Sequence, residues 1–298
     1  MTFRDLQYLV ALADLRHFRR AAESVHVSQP TLSGQIRKLE DMLGIVLFER
    51  DGRSIAPTPA GDAIIAEARH ALAHAAAIRD IANAFRDPLA GPLRLGLIAS
   101  LGPYLVPDLI AQVGHDAPRL ELIVSESLTP DLITAVRTRE LDAAVIATPA
   151  DEGELVEYSL FDEPFLLAHA PDHPLAAIAA PSLAEIERGT LLLLTEGHCL
   201  RDQALSLCGA ASVDSSVKAA SLVTLIRLVE RGHGVTLLPE LAAIDAGALT
   251  LRRLPGAGAS RHLRLIARRA FPRPDALRLI AKSARIVARA SGLSVPGA

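Results

Sequence analysis

Hydrophobic positions in the first sixty residues recur with helical spacing in short segments. Ala21, Ala22 and Val25 mark one short helix, and His26-Val27-Ser28 reads as a turn. A second helix opens at Gln29-Pro30, with Ser28 as N-cap and Pro30 in the first turn. On it Leu32, Ile36, Leu39 and Leu43 fall at spacings of four, three and four, which predicts a buried face. Residues 44–58 read as a hairpin turning near Asp51-Gly52. Residues 59–87 form a long Ala-rich helical run that begins at Pro59 and stops before Pro88 and Gly91-Pro92. Ile64, Ala68, Ala71, Ala75, Ile78 and Ala82 make a narrow small-residue seam along it. Such a seam is poorly stable alone and predicts pairing with a second copy of the chain.

From residue 92 the pattern changes. Short apolar runs at 92–100, 120–127, 141–148, 164–170, 190–196, 235–239 and 262–269 predict strands, and helices are expected near 103–113, 129–138, 222–231 and 274–290. Alternating strands and helices predict parallel sheets covered by helices. The predicted fold class is α/β behind an all-α winged helix-turn-helix. The α/β part is expected to divide into two doubly wound subdomains, like periplasmic binding proteins. The expected domains are 1–58, the linker helix 59–90, and 91–298. Within the last, subdomain I takes 91–162 and 268–298, and subdomain II takes 163–267.

Charge changes the picture only locally. The formal net charge of the chain is -3, so no global basic field points to nucleic acid. The window 16–38, however, holds Arg16, Arg19, Arg20, Arg37 and Lys38 against Glu23. Opposite the apolar face of the second helix stand Gln29, Pro30, Ser33, Gly34, Arg37 and Lys38. Small and amide side chains beside arginine suit the major groove of double-stranded DNA. Ser28 and Thr31 flank that face at its start. Arg50 and Arg53 on the hairpin are placed to reach phosphate or minor groove, as a wing would. No apolar run approaches the ~18 residues of a membrane span, and the first residues lack a signal peptide's apolar core. These readings place the protein in the cytoplasm with no membrane partner.

Residues 2–61 resemble the N-terminal domain of the LysR-type transcriptional regulators, through RDLQYLVALAD, FRRAAE, VSQPTLSGQIRKLEDMLG, LFER and TPAG. That resemblance implies a linker helix, a two-subdomain sensor, homodimers or homotetramers, promoter DNA as partner and RNA polymerase as a further one. It implies a regulator and no enzyme.

The chain has two cysteines, Cys199 and Cys208. Cys199 follows Gly197-His198 at a predicted strand end and precedes a helix marked by Leu200, Ala204 and Leu207. Orphan N–H groups at a helix start favour negative charge on sulfur. If 199–208 is helical, the two Cα atoms lie ~13 Å apart. A disulfide requires them within ~7 Å. The pair then joins only by unwinding the helix; read singly, both cysteines equally suit inert core positions. The string GHCLRDQA with cysteine at 208, together with LGPYLVP, LFDEP, SLVTL and GVTLLP, resembles the peroxide-sensing branch of the LysR family. By that resemblance Cys199 is the peroxidatic and Cys208 the resolving cysteine, and Ser100, Thr129, His198, Asp202 and Arg268 belong to the peroxide pocket. Ser100 stands where that branch commonly has threonine, so a hydroxyl is kept and a methyl lost. Hydrogen peroxide is the implied signal, a thiol reductant of the glutaredoxin or thioredoxin type the implied resetting partner, and no cofactor or metal is expected. Other readings are a regulator that binds a small organic ligand between the subdomains, a thiol peroxidase, and a periplasmic-type binding protein.

Overall fold

The computed structural model describes residues 1–51, 54–84, 86–150, 153–178, 190–208, 218–254 and 259–296. Two compact units emerge, one of residues 1–82 with 138–140 and one of 83–137 with 141–298.

The first unit begins with α1 (Phe3–Leu15), α2 (Phe18–Ser24) and α3 (Gln29–Leu43). Thr2 starts α1 with a reciprocal cap: its amide donates to the Asp5 carboxylate at 2.7 Å, and its hydroxyl accepts from the Asp5 amide at 3.3 Å. Ser28 starts α3 by accepting from the Thr31 amide at 3.3 Å, with Pro30 in the first turn where its missing N–H costs nothing. Gly44, at φ +70°, ends the helix in the left-handed conformation. Leu32, Ile36 and Leu39 are buried with Leu6, Leu9, Leu12, Ala21 and Ala22. Leu43 departs from the sequence expectation. It is 36% exposed, because the helix ends there and its last turn overruns the core.

Strands β1 (Phe48–Asp51) and β2 (Ser54–Pro57) pair antiparallel as the expected hairpin; the turn residues 52 and 53 lie outside the described residues. Glu40 of α3 ties the hairpin down, accepting from the Leu47 and Phe48 amides at 2.9 and 3.3 Å. Helix α4 (Pro59–Ala84) follows directly. The Thr58 hydroxyl donates to the Val46 carbonyl and accepts from the Gly61 amide, both at 2.9 Å. Glycine is required at 61 because a Cβ there would lie 2.2 Å from the Leu47 carbonyl oxygen. The first turns of α4 belong to this unit's own core through Ile65, Ala68 and Leu72. The seam drawn from sequence therefore divides: Ile64, Ala68 and Ala71 pack inward, whereas Ile78 is 68% exposed and Ala82 is exposed; Ile81, beside the seam, is 43% exposed.

In the second unit a mixed sheet runs in the order β10-β6-β11-β5-β3-β4, with β9 also paired to β6. Its strands are β3 (Gly91–Ile98), β4 (Leu120–Ser127), β5 (Ala143–Ile146), β6 (Leu155–His169), β9 (Thr236–Pro239), β10 (Thr250–Arg253) and β11 (Ser260–Arg268). β3 is parallel to both β4 and β5, as the alternating pattern predicts. Helices α5 (Gly102–Asp116), α6 (Thr129–Arg137) and α9 (Pro274–Ala290) accompany these strands, and α9 packs against α5. Further elements are α7 (Cys199–Cys208), α8 (Leu222–Glu230), the short parallel pair β7 (Leu193–Leu194) and β8 (Lys218–Ala219), and two 3-10 turns at Pro174–Ala177 and Glu240–Asp245.

The second subdomain is less parallel than expected. β9, β10 and β11 all run antiparallel to β6. The cause is that β6 and β11 are long strands passing through both lobes. Leu160 and Phe161 of β6 lie in the first core, while Phe165 lies in the second beside Leu192, Leu194, Leu225 and Leu238. The boundary after residue 162 thus falls inside one continuous strand. On the return, Leu263, Leu265, Ile266 and Ala267 already occupy the first core, so the chain re-enters that lobe before residue 268. Polar Glu157, Ser159 and Asp162 interrupt the apolar run and concealed the first half of β6. Near the C-terminus the chain is anchored at residues 293 and 294. Leu293 is buried and the Ser294 carbonyl accepts from the Asp162 amide at 2.9 Å.

Substituting Gly61→Ala should destabilise the first unit by about 1–3 kcal/mol, since the new methyl meets backbone rather than a yielding side chain. Urea denaturation of the full chain followed by a probe in residues 1–82 measures it. An unchanged midpoint would show that α4 and the hairpin can separate at no cost.

Candidate functional site

Helix α3 carries the candidate nucleic-acid face. Gln29, Pro30, Thr31, Arg37 and Lys38 are exposed, and Ser33 is partly so. Ser28, also exposed, is engaged in capping the helix. In the turn before it, His26 adopts a left-handed φ of +55°. Arg19 and Arg20 on α2 are exposed, and the Arg19 guanidinium meets Glu23 one turn on at 3.1 Å. Both side chains of that pair are mostly exposed, so it holds Arg19 weakly and leaves it able to exchange onto phosphate. Arg50 lies on β1, but its side chain, like all of Arg53, lies outside the described residues.

The second site is a cavity of about 10 Å³ in the second unit, lined by Ile98, Ala99, Ser100, Ser127, Leu128, Thr129, Gly197, His198, Cys199 and Leu200. Three chain segments form it: the residues after β3, those between β4 and α6, and those leading into α7. Adjacent parallel strands thus deliver their C-terminal ends to it, where α/β sheets concentrate ligand chemistry. The starts of α6 and α7 both point here, and a helix start carries partial positive charge. Gly197 makes the approach possible. Its φ is +92°, and a Cβ would fall 2.8 Å from Leu128 Cδ1. Cys199 is a free thiol, 8% exposed.

Of the residues expected at a peroxide pocket, Ser100, Thr129 and His198 line this cavity with Cys199. Ser100 is buried and its Oγ accepts from Arg261 Nη1 at 2.7 Å. The hydrogen of the Ser100 hydroxyl therefore points elsewhere. Thr129 is buried too, and its Oγ1 has no hydrogen-bond partner among the described residues. Burial lowers the His198 pKa below the ordinary histidine value. Asp202 does not line the cavity; it sits exposed in the first turn of α7.

Arg268 is not brought to the cavity. β11 pairs antiparallel with β5 so that Ala267 faces Ala143, at the start of β5 rather than its end. There Arg268 donates to the Val136 and Leu141 carbonyls and lies 3.8 Å from Asp142, closing the C-terminal end of α6. The arginine that reaches Ser100 is Arg261, seven residues earlier on the same strand. Its Nη2 also donates to the Ser100 carbonyl at 3.3 Å, and its Nε to Glu163 at 2.8 Å, with both charged side chains 0% exposed. Glu163 spends its other oxygen on the Leu241 amide at 2.9 Å. Sequence reading missed Arg261 because the predicted strand began at residue 262. The signal was an arginine in register with an apolar strand and a glutamate in LFDEP to receive it.

The two cysteines bound one helix. Cys199 is the first residue of α7 and Cys208 the last, so nine helical steps separate them. At ~1.5 Å per residue the Cα atoms are about 13 Å apart.

The His198 ring should stay neutral to lower pH than free histidine, with an NMR titration midpoint below about 6.5. On acidification the unfolded chain takes up this proton first. His198 therefore withdraws stability as pH falls from about 6.5 towards the folded midpoint. A midpoint at or above 6.5 would contradict burial of the ring.

Comparison with known proteins places this geometry. Residues 3–62 match the bacterial regulatory helix-turn-helix protein, lysR family, and residues 86–288 match the LysR substrate binding domain. The chain is 45% identical over 244 residues to the DNA-binding transcriptional dual regulator OxyR of Escherichia coli, covering 81% of this chain and 80% of that protein. It is 41% identical over 249 residues to the hydrogen peroxide-inducible genes activator of Haemophilus influenzae, covering 83% of each. Among solved structures, a cysteine-to-aspartate variant of full-length OxyR from Pseudomonas aeruginosa aligns over 97% of both chains, with TM-score 0.73 and 41% identity. A cysteine variant of Corynebacterium glutamicum OxyR with hydrogen peroxide bound aligns over 97% of this chain and 93% of that one, with TM-score 0.67 and 31% identity. The chain belongs to the LysR family of DNA-binding transcription regulators, in its OxyR-like group.

Proposed function

We propose that this chain is a hydrogen peroxide-responsive regulator that reads promoter DNA through α3 and senses the oxidant at Cys199. The observation that carries this reading is the convergence of Cys199 with the hydroxyls of Ser100 and Thr129 on one cavity able to seat a single small molecule. An organic effector needs several hundred Å³, so it would have to bind elsewhere than in the cavity at Cys199.

In the first step the Cys199 sulfur attacks the near oxygen of hydrogen peroxide. The O–O bond breaks, the far oxygen leaves as hydroxide and takes up a proton as water, and the sulfur is oxidised to a sulfenic acid. The barrier is lowered by donors aimed at the departing oxygen. Thr129 Oγ1 has no other partner among the described residues. Ser100, whose Oγ accepts from Arg261, retains its own hydrogen to give. In the second step the Cys208 thiol attacks the Cys199 sulfur. The S–S bond forms, the S–O bond breaks and a second water leaves. Nine helical steps must be undone for this, so α7 unwinds and one chemical event becomes a refolding of the sensor. A thiol reductant of the glutaredoxin or thioredoxin type resets the bridge. The exposed Ile78 and Ile81 of α4 support pairing of two copies along this helix, with RNA polymerase as the downstream partner.

Peroxide titration of the purified full chain should consume two thiols and yield one linked peptide joining 199 to 208 by mass spectrometry. Oxidation without that peptide would reject the disulfide step. Replacing Arg37→Ala should weaken promoter binding by about 1–3 kcal/mol for a base contact, or lower the salt dependence by about one counterion for a phosphate contact. Thiol oxidation should be unaltered. Equal promoter affinity in both proteins would remove Arg37 from the interface.

A further inference from the structure

Helix α7 serves two lobes with two faces. Leu200, Ala204 and Leu207, at spacings of four and three, pack with the residues of the second lobe. The Arg201 guanidinium stays on that side too, donating to the Leu194 carbonyl at 3.2 Å. Cys199 and Gln203, one turn apart, face the first lobe. Cys199 lies in that lobe's core, and Gln203 Nε2 donates to the Ala147 carbonyl, just past the end of β5, at 2.8 Å. Among the described residues, Gln203 is the one α7 side chain hydrogen-bonded to the first lobe. Its grip is half satisfied, since Gln203 Oε1 is buried without a partner among the described residues. An amide held by one bond and taxed by one unmet acceptor is a weak tether, one that local unwinding can break.

We infer that Gln203 is a positioning residue for the second oxidation step: it holds the middle of α7 on the first lobe and so sets how fast a Cys199 sulfenic acid gives way to the Cys199–Cys208 disulfide. The inference rests on the two-step switch proposed above. The bond exists only while α7 is helical and docked. Its loss therefore raises the reduced form in free energy relative to the unwound state, where Gln203 has no fixed partner. Cys199 is seated independently by the core and the turn at Gly197, so the first step is insulated from this contact.

The test uses the full-length protein and hydrogen peroxide, with Gln203→Ala and the volume-matched Gln203→Met. A 1,3-dicarbonyl trap quantifies sulfenic acid, and quenched digests quantify the linked peptide over time. Sulfenic acid should form within about twofold of the wild-type rate, while disulfide closure accelerates by about fivefold in both variants. Equilibration with a glutathione redox buffer should shift towards the disulfide by a similar factor. Two results overturn the inference: closure at the wild-type rate in both variants, or a first step slowed in proportion, which marks Gln203 as ordinary support for Cys199. A wild-type protein that forms no linked peptide overturns the switch itself, and this inference with it. Normal wild-type closure with unaltered variants overturns only the role of Gln203.

Discussion

A fully buried ion pair organises the sensor. Removing Arg261 and Glu163 from water costs several kcal/mol per ion, which is tolerable only when nearly every donor and acceptor is met. Glu163 receives Arg261 on one oxygen and the Leu241 amide on the other, and Arg261 extends to the hydroxyl and carbonyl of Ser100. The four residues come from β6, β11, the turn after β9 and the segment after β3. One electrostatic requirement therefore fixes where both long strands pass between the lobes and where the Ser100 hydroxyl stands. Removing either charge alone would strand the other without water, a larger penalty than the pair itself is worth.

Helical order in α7 is the second constraint, and it acts in the opposite sense. The ion pair is too costly to break; α7 is held by modest contacts on two sides. Its apolar stripe is short, one amide reaches the first lobe, and its first residue is the thiol that lines the cavity. The strands beneath the cavity are thus tied by a buried ion pair, while the helix that carries Cys199 is held by a short apolar stripe and single side-chain hydrogen bonds to each lobe.

Much of this was legible in the sequence. Ser28 and Pro30 announced the start of α3, and Leu32, Ile36 and Leu39 its buried face. The alternation of strands and helices after residue 92 gave the parallel core of β3, β4 and β5. Cys199 and Cys208 were correctly placed at the two ends of one helix. What failed has physical causes. Leu43 fits the helical period, yet period does not report where a core ends. β6 mixes polar and apolar residues in its first half, which pairs with β11 alone, whereas its fully apolar second half lies between β9 and β10; only that second half was read. Arg268 was assigned to the pocket by resemblance, and a strand's pairing direction is invisible in sequence: antiparallel pairing with β5 sets residue 268 beside the start of that strand, away from the cavity.

The position of Arg268 has its own consequence. Its guanidinium grips the carbonyls at the tail of α6, a helix of nine residues whose head is Thr129. The helix behaves as a short rod clamped at its rear, about 13 Å long at ~1.5 Å per residue. The position of the Thr129 hydroxyl at one end of this rod is thus tied to the contacts that Arg268 makes at the other.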